Sequence, residues 1–292
     1  METNPNAIII GTGKIGIDLY IKCKKSKIFN KIYIFNRNRN SEGAKYCKKK
    51  KFLYSPTGIN GVKSRLAECK FIFDATSAKS NIKILKELNN KIDNKYFINL
   101  TPSIHGEYVV PYTHLKVIPK KINLITCGGQ TSTPIIAEFK KILGKKLKYV
   151  ELVSSISSKS AGKATRDNID EYITNTENAI QKLTKVKNIK VIININPSEP
   201  PVNMMNSLFF ETKNKISVSD FGKMKKSINF INLKIKSYIP EYNAKIFQAL
   251  NDNIIRVTIR VIGQGDYLPK YAGNLDIITS SAVHLTKVIN EE

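Results

Sequence analysis

Along the first 130 residues, short runs in which nearly every position is apolar alternate with stretches whose apolar residues recur at helical spacing. The runs predict strands over Ala7 to Ile10, Lys31 to Asn36, Phe71 to Asp74, Tyr96 to Leu100 and Asn123 to Thr126. The helical spacing predicts helices over Ile15 to Lys25, Gly61 to Cys69 and Asn81 to Leu88. Strands that are apolar throughout and separated by helices are the mark of a parallel sheet buried on both faces by its crossovers.

From Lys148 onward the pattern changes to longer strands, Tyr149 to Ser158, Lys190 to Ile195 and Ile254 to Ile262, mixed with amphipathic helices over Ile169 to Val186 and Phe221 to Tyr238. A last helical stretch, Asn274 to Ile289, carries Leu275, Ile278, Ala282, Leu285 and Val288 on one face. The expected division is a nucleotide-binding domain over residues 1–130, an α+β substrate and dimerisation domain over 131–273, and a helix over 274–290 returning to the first domain.

The first strand runs directly into a glycine-spaced turn, Ile8-Ile9-Ile10-Gly11-Thr12-Gly13-Lys14-Ile15-Gly16, and then into a helix. Strand, glycine turn and helix in that order bring a pyrophosphate close to backbone N–H groups, so the α/β fold expected is a Rossmann-type, doubly wound parallel sheet. Further along, Ile125-Thr126-Cys127-Gly128-Gly129-Gln130 places a glycine-flanked thiol just beyond a strand's carboxyl end, where open α/β sheets put their ligands. Thr133-Pro134 reads as an N-cap followed by a proline in the first turn, so a helix is expected at or soon after the thiol. Its amino end is expected to lower the thiol pKa, and Gly128 and Gly129 to let a substrate approach the backbone. A dinucleotide site beside a nucleophilic thiol points to covalent aldehyde chemistry through a thioester.

Composition narrows the field. The 292 residues are 41% hydrophobic, enough for substantial cores. The net charge of +25 raises the question of an anionic partner, but only six arginines contribute and the lysines are scattered beside abundant Asn and Ile, the pattern of AT-rich coding. Neither nucleic acid nor a membrane surface is therefore expected as a partner, and Lys48-Lys49-Lys50-Lys51 reads as a solvated helix end. Cys23, Cys47, Cys69 and Cys127 form no Cys-x-x-Cys pair and no ligand spacing with His105, His114 or His284, so no metal site and no disulfide framework is expected. Free thiols, together with the absence of a secretory leader pattern or a spanning apolar run, point to the cytoplasm.

Taken together, the glycine turn, Asp74-Ala75-Thr76-Ser77-Ala78, Leu100-Thr101-Pro102, Tyr108-Val109-Val110-Pro111 and Thr126-Cys127-Gly128-Gly129-Gln130 resemble the coenzyme A-acylating acetaldehyde dehydrogenases. Ser158-Lys159-Ser160-Ala161-Gly162, Thr165-Arg166, Asn168-Ile169-Asp170-Glu171, Asn196-Pro197, Glu199-Pro200-Pro201, Tyr267-Leu268-Pro269 and Tyr271-Ala272-Gly273-Asn274-Leu275-Asp276-Ile277 extend the resemblance, in order, over nearly the whole chain. It implies a Cys127 nucleophile, acetaldehyde or propanal as substrate, NAD as coenzyme and coenzyme A (CoA) as acyl acceptor. It also implies dinucleotide contacts from Gly11, Thr12, Gly13, Lys14, Ile15 and Gly16. Further contacts would come from Ser160, Ala161, Gly162, Lys163, Ala164, Thr165, Arg166, Asp167, Asn168 and Asn274. A homodimer, and a complex with a 4-hydroxy-2-oxoacid aldolase that supplies the aldehyde, are implied in the same way.

Two departures from the family pattern bear on chemistry. Asn206 stands where the family usually carries an aspartate proposed to assist proton transfer, and an amide is no general base. Asn36-Arg37-Asn38-Arg39 follows the second strand where an acid is expected to hold the adenosine ribose, which keeps NADP open beside NAD. Two alternatives accompany the acylating dehydrogenase: a non-catalytic scaffold for the aldolase, motivated by Asn206, and a phosphate-acylating semialdehyde dehydrogenase. Aldolase support indifferent to Cys127→Ala would mark the first, and a direct comparison of phosphate with coenzyme A the second.

Overall fold

The computed structural model describes residues 4–112, 118–162, 165–166, 169–248 and 253–291. The first half builds a sheet from β1 (Asn6–Ile10), β2 (Ile32–Phe35), β3 (Leu53–Ser55), β4 (Cys69–Asp74), β5 (Tyr96–Asn99), β6 (Glu107–Val109) and β7 (Lys121–Leu124). Their spatial order is β3-β2-β1-β4-β5-β7-β6, and every neighbouring pair is parallel. The crossovers use α1 (Lys14–Ser26), α2 (Glu42–Lys49), α3 (Gly58–Arg65) and α4 (Ala78–Leu88). Strand order reverses at the β1/β4 pair, where Ile8 sits opposite Ile72 and Ile10 opposite Asp74. That reversal opens a crevice at the strands' carboxyl ends.

The second half forms a five-stranded sheet, β11-β12-β10-β8-β9, from β8 (Leu147–Ser157), β9 (Ile189–Asn196), β10 (Met204–Thr212), β11 (Tyr242–Gln248) and β12 (Ile254–Val261). Its pairs are antiparallel except β8 with β9, whose crossover is α6 (Ile169–Thr184). On β10, Met204, Asn206, Leu208, Phe210 and Thr212 face inward, while Met205 is 46% exposed on the other face. Between the two sheets runs α5 (Cys127–Leu143), buried at every position from Cys127 to Ile136 and again at Phe139, whose ring lies 4.7 Å from that of Phe210. A helix covered on nearly all sides belongs to a core rather than a surface. One apolar cluster accordingly extends through both halves, from Ile9 and Phe73 to Leu208 and Ile259.

α7 (Val218–Lys236) covers the second sheet, and α8 (Gly273–Glu291) packs against α1 and α5. A buried charge cluster fastens α8 to α1. Lys22 Nζ lies 2.7 Å from Asp266, 3.0 Å from Asp276 and 3.4 Å from Asp18, with its side chain 6% exposed. Asp18 also accepts from the backbone N–H groups of Tyr267 and Leu268 and from the Thr279 hydroxyl at 2.6 Å. Burial holds the Asp18 carboxyl above the usual carboxylate range, partly offset by Lys22.

The structure amends several expectations. The helix expected over Gly61 to Cys69 divides into α3 and a 3-10 turn at Leu66–Glu68, with Cys69 already in β4. The helix after the thiol starts seven residues earlier than a Thr133 cap would allow. Thr126 is its N-cap, accepting from Gly129 N at 3.3 Å, and Pro134 lies inside the helix. The Thr133 hydroxyl instead bonds back to Gly129 O at 2.7 Å, as a mid-helix threonine does. Among the described residues, no helix is long and apolar enough to cross a membrane.

Candidate active site

Gly11 ends β1 with φ at 110°, a conformation that L side chains rarely adopt, and a Cβ there would lie 2.7 Å from Ala75 O across the β1/β4 reversal. Two positions into the helix, Gly16 allows the same close fit, since a Cβ would come within 2.0 Å of Gly11 O. Gly13, by contrast, faces open space and caps α1 without a side-chain hydrogen bond. The first N–H groups of α1 thus point outward with their partial positive charge, ready for an anion. Gly16→Ala is expected to push α1 away from the turn. It should cost about 1–3 kcal/mol by overpacking and weaken dinucleotide binding about ten-fold, as read by denaturation and coenzyme titration.

Along the reversal a cavity of about 120 Å³ gathers segments far apart in sequence: Ile15, Ala75 and Thr76, Thr101 and Pro102, Cys127, Thr165, Tyr172 and Asn175, and Asn274. Of the positions suggested for the dinucleotide, Ile15, Thr165 and Asn274 line this cavity together with Cys127. Gly11 lines a neighbouring cavity with Asn36, Arg37 and Lys83. Thr12 is buried and accepts from Asn36 Nδ2 at 2.6 Å, and Lys14 is exposed. Ser160 and Ala161 are buried, and Gly162 has open space about it. Arg166 turns back onto its own loop, with Nη2 2.8 Å from both Ser158 O and Ser158 Oγ. Lys163, Ala164, Asp167, Asn168 and His114 lie outside the described residues. Asn274, inside the first turn of α8, donates to Ser160 O at 3.4 Å, and its Oδ1 is buried without a partner. An unpaired amide oxygen on the cavity wall suits the carboxamide of a nicotinamide, and the glycine turn suits its pyrophosphate.

Cys127 opens α5 and is 8% exposed. Its Sγ lies 3.4 Å from the Tyr172 hydroxyl, which also accepts from Gly128 N at 3.2 Å. Thr126 and Thr176 join their hydroxyls at 2.6 Å and tie α5 to α6 beside this contact. The expected lowering of the thiol pKa is not what results. Burial pushes it above the ordinary thiol value, and the Tyr172 and backbone hydrogen bonds offset only part of that. Gly128 and Gly129 also serve differently from expectation. A Cβ on Gly128 would meet Ser154 Oγ at 2.6 Å and Tyr172 Oη at 2.9 Å, and one on Gly129 would meet Ile125 Cδ1 at 2.6 Å. Both are small because α5 packs tightly, not because a substrate needs that space.

Asn206 does not line the cavity. Its Nδ2 donates to Thr131 Oγ1 at 2.5 Å and to Ser132 Oγ at 3.1 Å, and the Thr131 hydroxyl donates to Cys127 O at 3.0 Å. It therefore braces the first turns of α5 from behind. Tyr172 escaped the sequence reading because it falls on the apolar face of an amphipathic helix, where an aromatic residue reads as core. Period-2 alternation of Met204, Asn206, Leu208 and Phe210 was the available signal for β10. Among the described residues, no group of three or more His, Cys, Asp or Glu side chains is placed to hold a metal ion.

Comparisons with known proteins agree with this geometry. The family profile described as "Prokaryotic acetaldehyde dehydrogenase, dimerisation" matches residues 127–269. An acetaldehyde dehydrogenase of Burkholderia pseudomallei is 38% identical over 280 residues, spanning 94% of this chain and 91% of that protein. One of Carboxydothermus hydrogenoformans is 38% identical over 285 residues, spanning 97% and 92%. Among solved structures, aspartate semialdehyde dehydrogenase II of Vibrio cholerae superposes with a TM-score of 0.65 over 98% of this chain and 99% of its own, at 11% identity. That likeness shows the shared fold alone: a doubly wound parallel sheet joined to a second, mixed sheet. At more than a third identity over nearly its full length, the chain belongs to the acetaldehyde dehydrogenase family.

Proposed function

We propose that this protein is an NAD-dependent, acylating acetaldehyde dehydrogenase, converting acetaldehyde or propanal to acyl-CoA through a thioester on Cys127. The observation that carries the reading is the single cavity shared by Cys127, the start of α1 and Asn274. The Cys127 thiolate adds to the aldehyde carbonyl: the S–C bond forms, the C=O π bond breaks, and the charge passes to oxygen. A nicotinamide dinucleotide, held by the residues named below, would supply the two-electron oxidant that turns this adduct into a thioester on Cys127. The CoA thiolate then attacks that thioester, and the Cys127 C–S bond breaks to release acyl-CoA and regenerate the thiolate. The residues of the glycine turn would hold the pyrophosphate, and Asn274 the nicotinamide end. The mostly apolar lining of the cavity disfavours the water that would hydrolyse the acyl-enzyme.

NAD over NADP is the preferred coenzyme in this reading, and the adenosine side offers a test. The Asn36 Nδ2 is committed to Thr12 Oγ1, Asn38 O and Ser41 Oγ, and its Oδ1 takes Asn38 N at 2.8 Å. Asn36→Asp would set a carboxylate against any 2′-phosphate. The ratio of NADP to NAD use is expected to fall about ten-fold, some 1.4 kcal/mol of like-charge repulsion, in paired kcat/KM measurements.

A homodimer is inferred from the dimerisation profile and from the outer face of the second sheet, where Ile192 is 40%, Met205 46% and Phe247 39% exposed. We further propose that residues 1–130 form the dinucleotide-binding unit and 131–273 the substrate and dimerisation unit, that the chain works in the cytoplasm, and that it associates with a 4-hydroxy-2-oxoacid aldolase, as the family resemblance implies. The deciding assay follows absorbance of reduced nicotinamide with acetaldehyde or propanal and NAD, with and without CoA. Sustained reduction that requires CoA supports the reading. Reduction sustained by inorganic phosphate instead, or none with any acceptor, overturns it.

A further inference from the structure

We infer that Tyr172 is a second catalytic residue, whose hydroxyl donates its proton in a hydrogen bond to the Cys127 thiolate and steadies the sulfur for attack and for leaving. The inference rests on the Cys127 thioester reading above. The geometry allows the phenol proton to face the sulfur. Its oxygen accepts from Gly128 N at 3.2 Å, so its single proton is free for Sγ at 3.4 Å. Among the described residues, Tyr172 is the side chain in hydrogen-bonding reach of that sulfur.

Beyond Tyr172 and the backbone N–H groups of Cys127 and Gly128, the described residues bring no other donor to the sulfur. Among the described residues, the titratable groups lining the cavity are Cys127, Tyr108 and Tyr172, with no Asp, Glu, Lys, Arg or His on its wall. Asn206 approaches only through Thr131, on the other side of the helix backbone. A thiolate formed here would thus face burial with no cation beside it, and a hydrogen bond from a neutral donor becomes its main side-chain stabilisation. Burial, and the neighbouring sulfur, hold the Tyr172 phenol well above its ordinary value, so it stays protonated and remains a donor wherever the thiol ionises. The donor is also rigidly held. The Tyr172 ring is 5% exposed, its carbonyl accepts from Thr176 Oγ1 at 2.6 Å, and α6 is anchored by Asn175 Nδ2 on Pro102 O at 2.7 Å.

In each cycle the thiol proton leaves to solvent, and the O–H bond of Tyr172 is never broken. When the S–C bond forms, the charge moves from sulfur to the carbonyl oxygen and the hydrogen bond weakens. When the thioester C–S bond breaks on attack by CoA, the charge returns to sulfur and the same O–H receives it. The phenol thereby favours both the nucleophile and the leaving group without entering the proton balance.

The test compares the wild type with Tyr172→Phe, which keeps the ring, by measuring the rate of Cys127 alkylation by iodoacetamide against pH, with peptide mass mapping to separate Cys127 from the other thiols. Loss of a donor to the thiolate raises the pKa of the acid form. The midpoint is expected to move up by about one pH unit, and aldehyde kcat/KM at pH 7.5 to fall about ten-fold with the gap narrowing toward high pH. Should the phenylalanine variant fail to fold, Gly128→Ala displaces the phenol by the Cβ contact at 2.9 Å and is expected to give the same upward shift. An unchanged midpoint in a folded variant overturns the role of Tyr172. Denaturing mass spectrometry of wild type mixed with aldehyde and NAD, in the absence of CoA, judges the thioester separately: no acyl adduct on Cys127 overturns that reading, while the alkylation midpoints still decide on Tyr172.

Discussion

Cys127→Ser is expected to abolish aldehyde oxidation, lowering kcat/KM by on the order of 10³-fold or more while leaving coenzyme affinity within about two-fold. A serine hydroxyl is far less acidic than a thiol, and among the described residues lining this cavity no imidazole or carboxylate stands by to take its proton. Even if acylated, it would form an ester, which surrenders its acyl group to a thiol much less readily than a thioester does. Coenzyme binding survives because the glycine turn and Asn274 belong to other elements. The wild-type enzyme should also gain activity between pH 7 and 9. Burial pushes the thiol above its ordinary value, so the thiolate fraction is still climbing in that window. Turnover in the serine variant within ten-fold of wild type would remove the basis for covalent catalysis.

Lys22→Met is expected to produce the largest loss of stability, about 3–5 kcal/mol in urea or guanidinium unfolding at pH 8. The substitution retains the volume but leaves Asp18 and Asp276, both 0% exposed, and Asp266 without their shared buried cation. Lys25 remains, but its side chain is 65% exposed and bonds only Asp266. The pH dependence has a definite sign. The Asp18 carboxyl has its folded-state pKa raised, chiefly by burial, so its ionised form is the one the fold disfavours. Acidification favours its protonated form, and removal of Lys22 raises its pKa further. The gap between variant and wild type should therefore narrow as pH falls from 8 to 5. A variant within about 1 kcal/mol of wild type at pH 8 would mean that the cluster is dispensable.

How much of this was legible depended on whether a signal was local. The glycine turn and the apolar strands at Ala7 to Ile10 and Phe71 to Asp74 could be read because parallel strands buried on both faces leave continuous apolar runs. The helix over Ile169–Thr184 falls within the stretch that its amphipathic period indicated. Thr126 was missed as a cap because Pro134 supplied a stronger, misplaced start signal eight residues later. The strand over Met204–Thr212 was not anticipated, although its alternation continues to Thr212. Tyr172 and Lys22 lay beyond local reading altogether. Their partners are 45 residues away at Cys127 and more than 240 away at Asp266 and Asp276, and only the folded topology brings those side chains together.

Synthesis on the ribosome gives the α1–α8 pairing a further meaning. The glycine turn and α1 emerge about 250 residues before the helix that closes over them with Asp276 and Thr279. A nascent chain holding only the first sheet would carry Asp18 and Lys22 facing water and an apolar flank of α1 uncovered. The first half should therefore reach its final protease resistance only after α8 clears the exit tunnel, and ribosome-bound fragments ending before residue 273 should remain cleavable around α1.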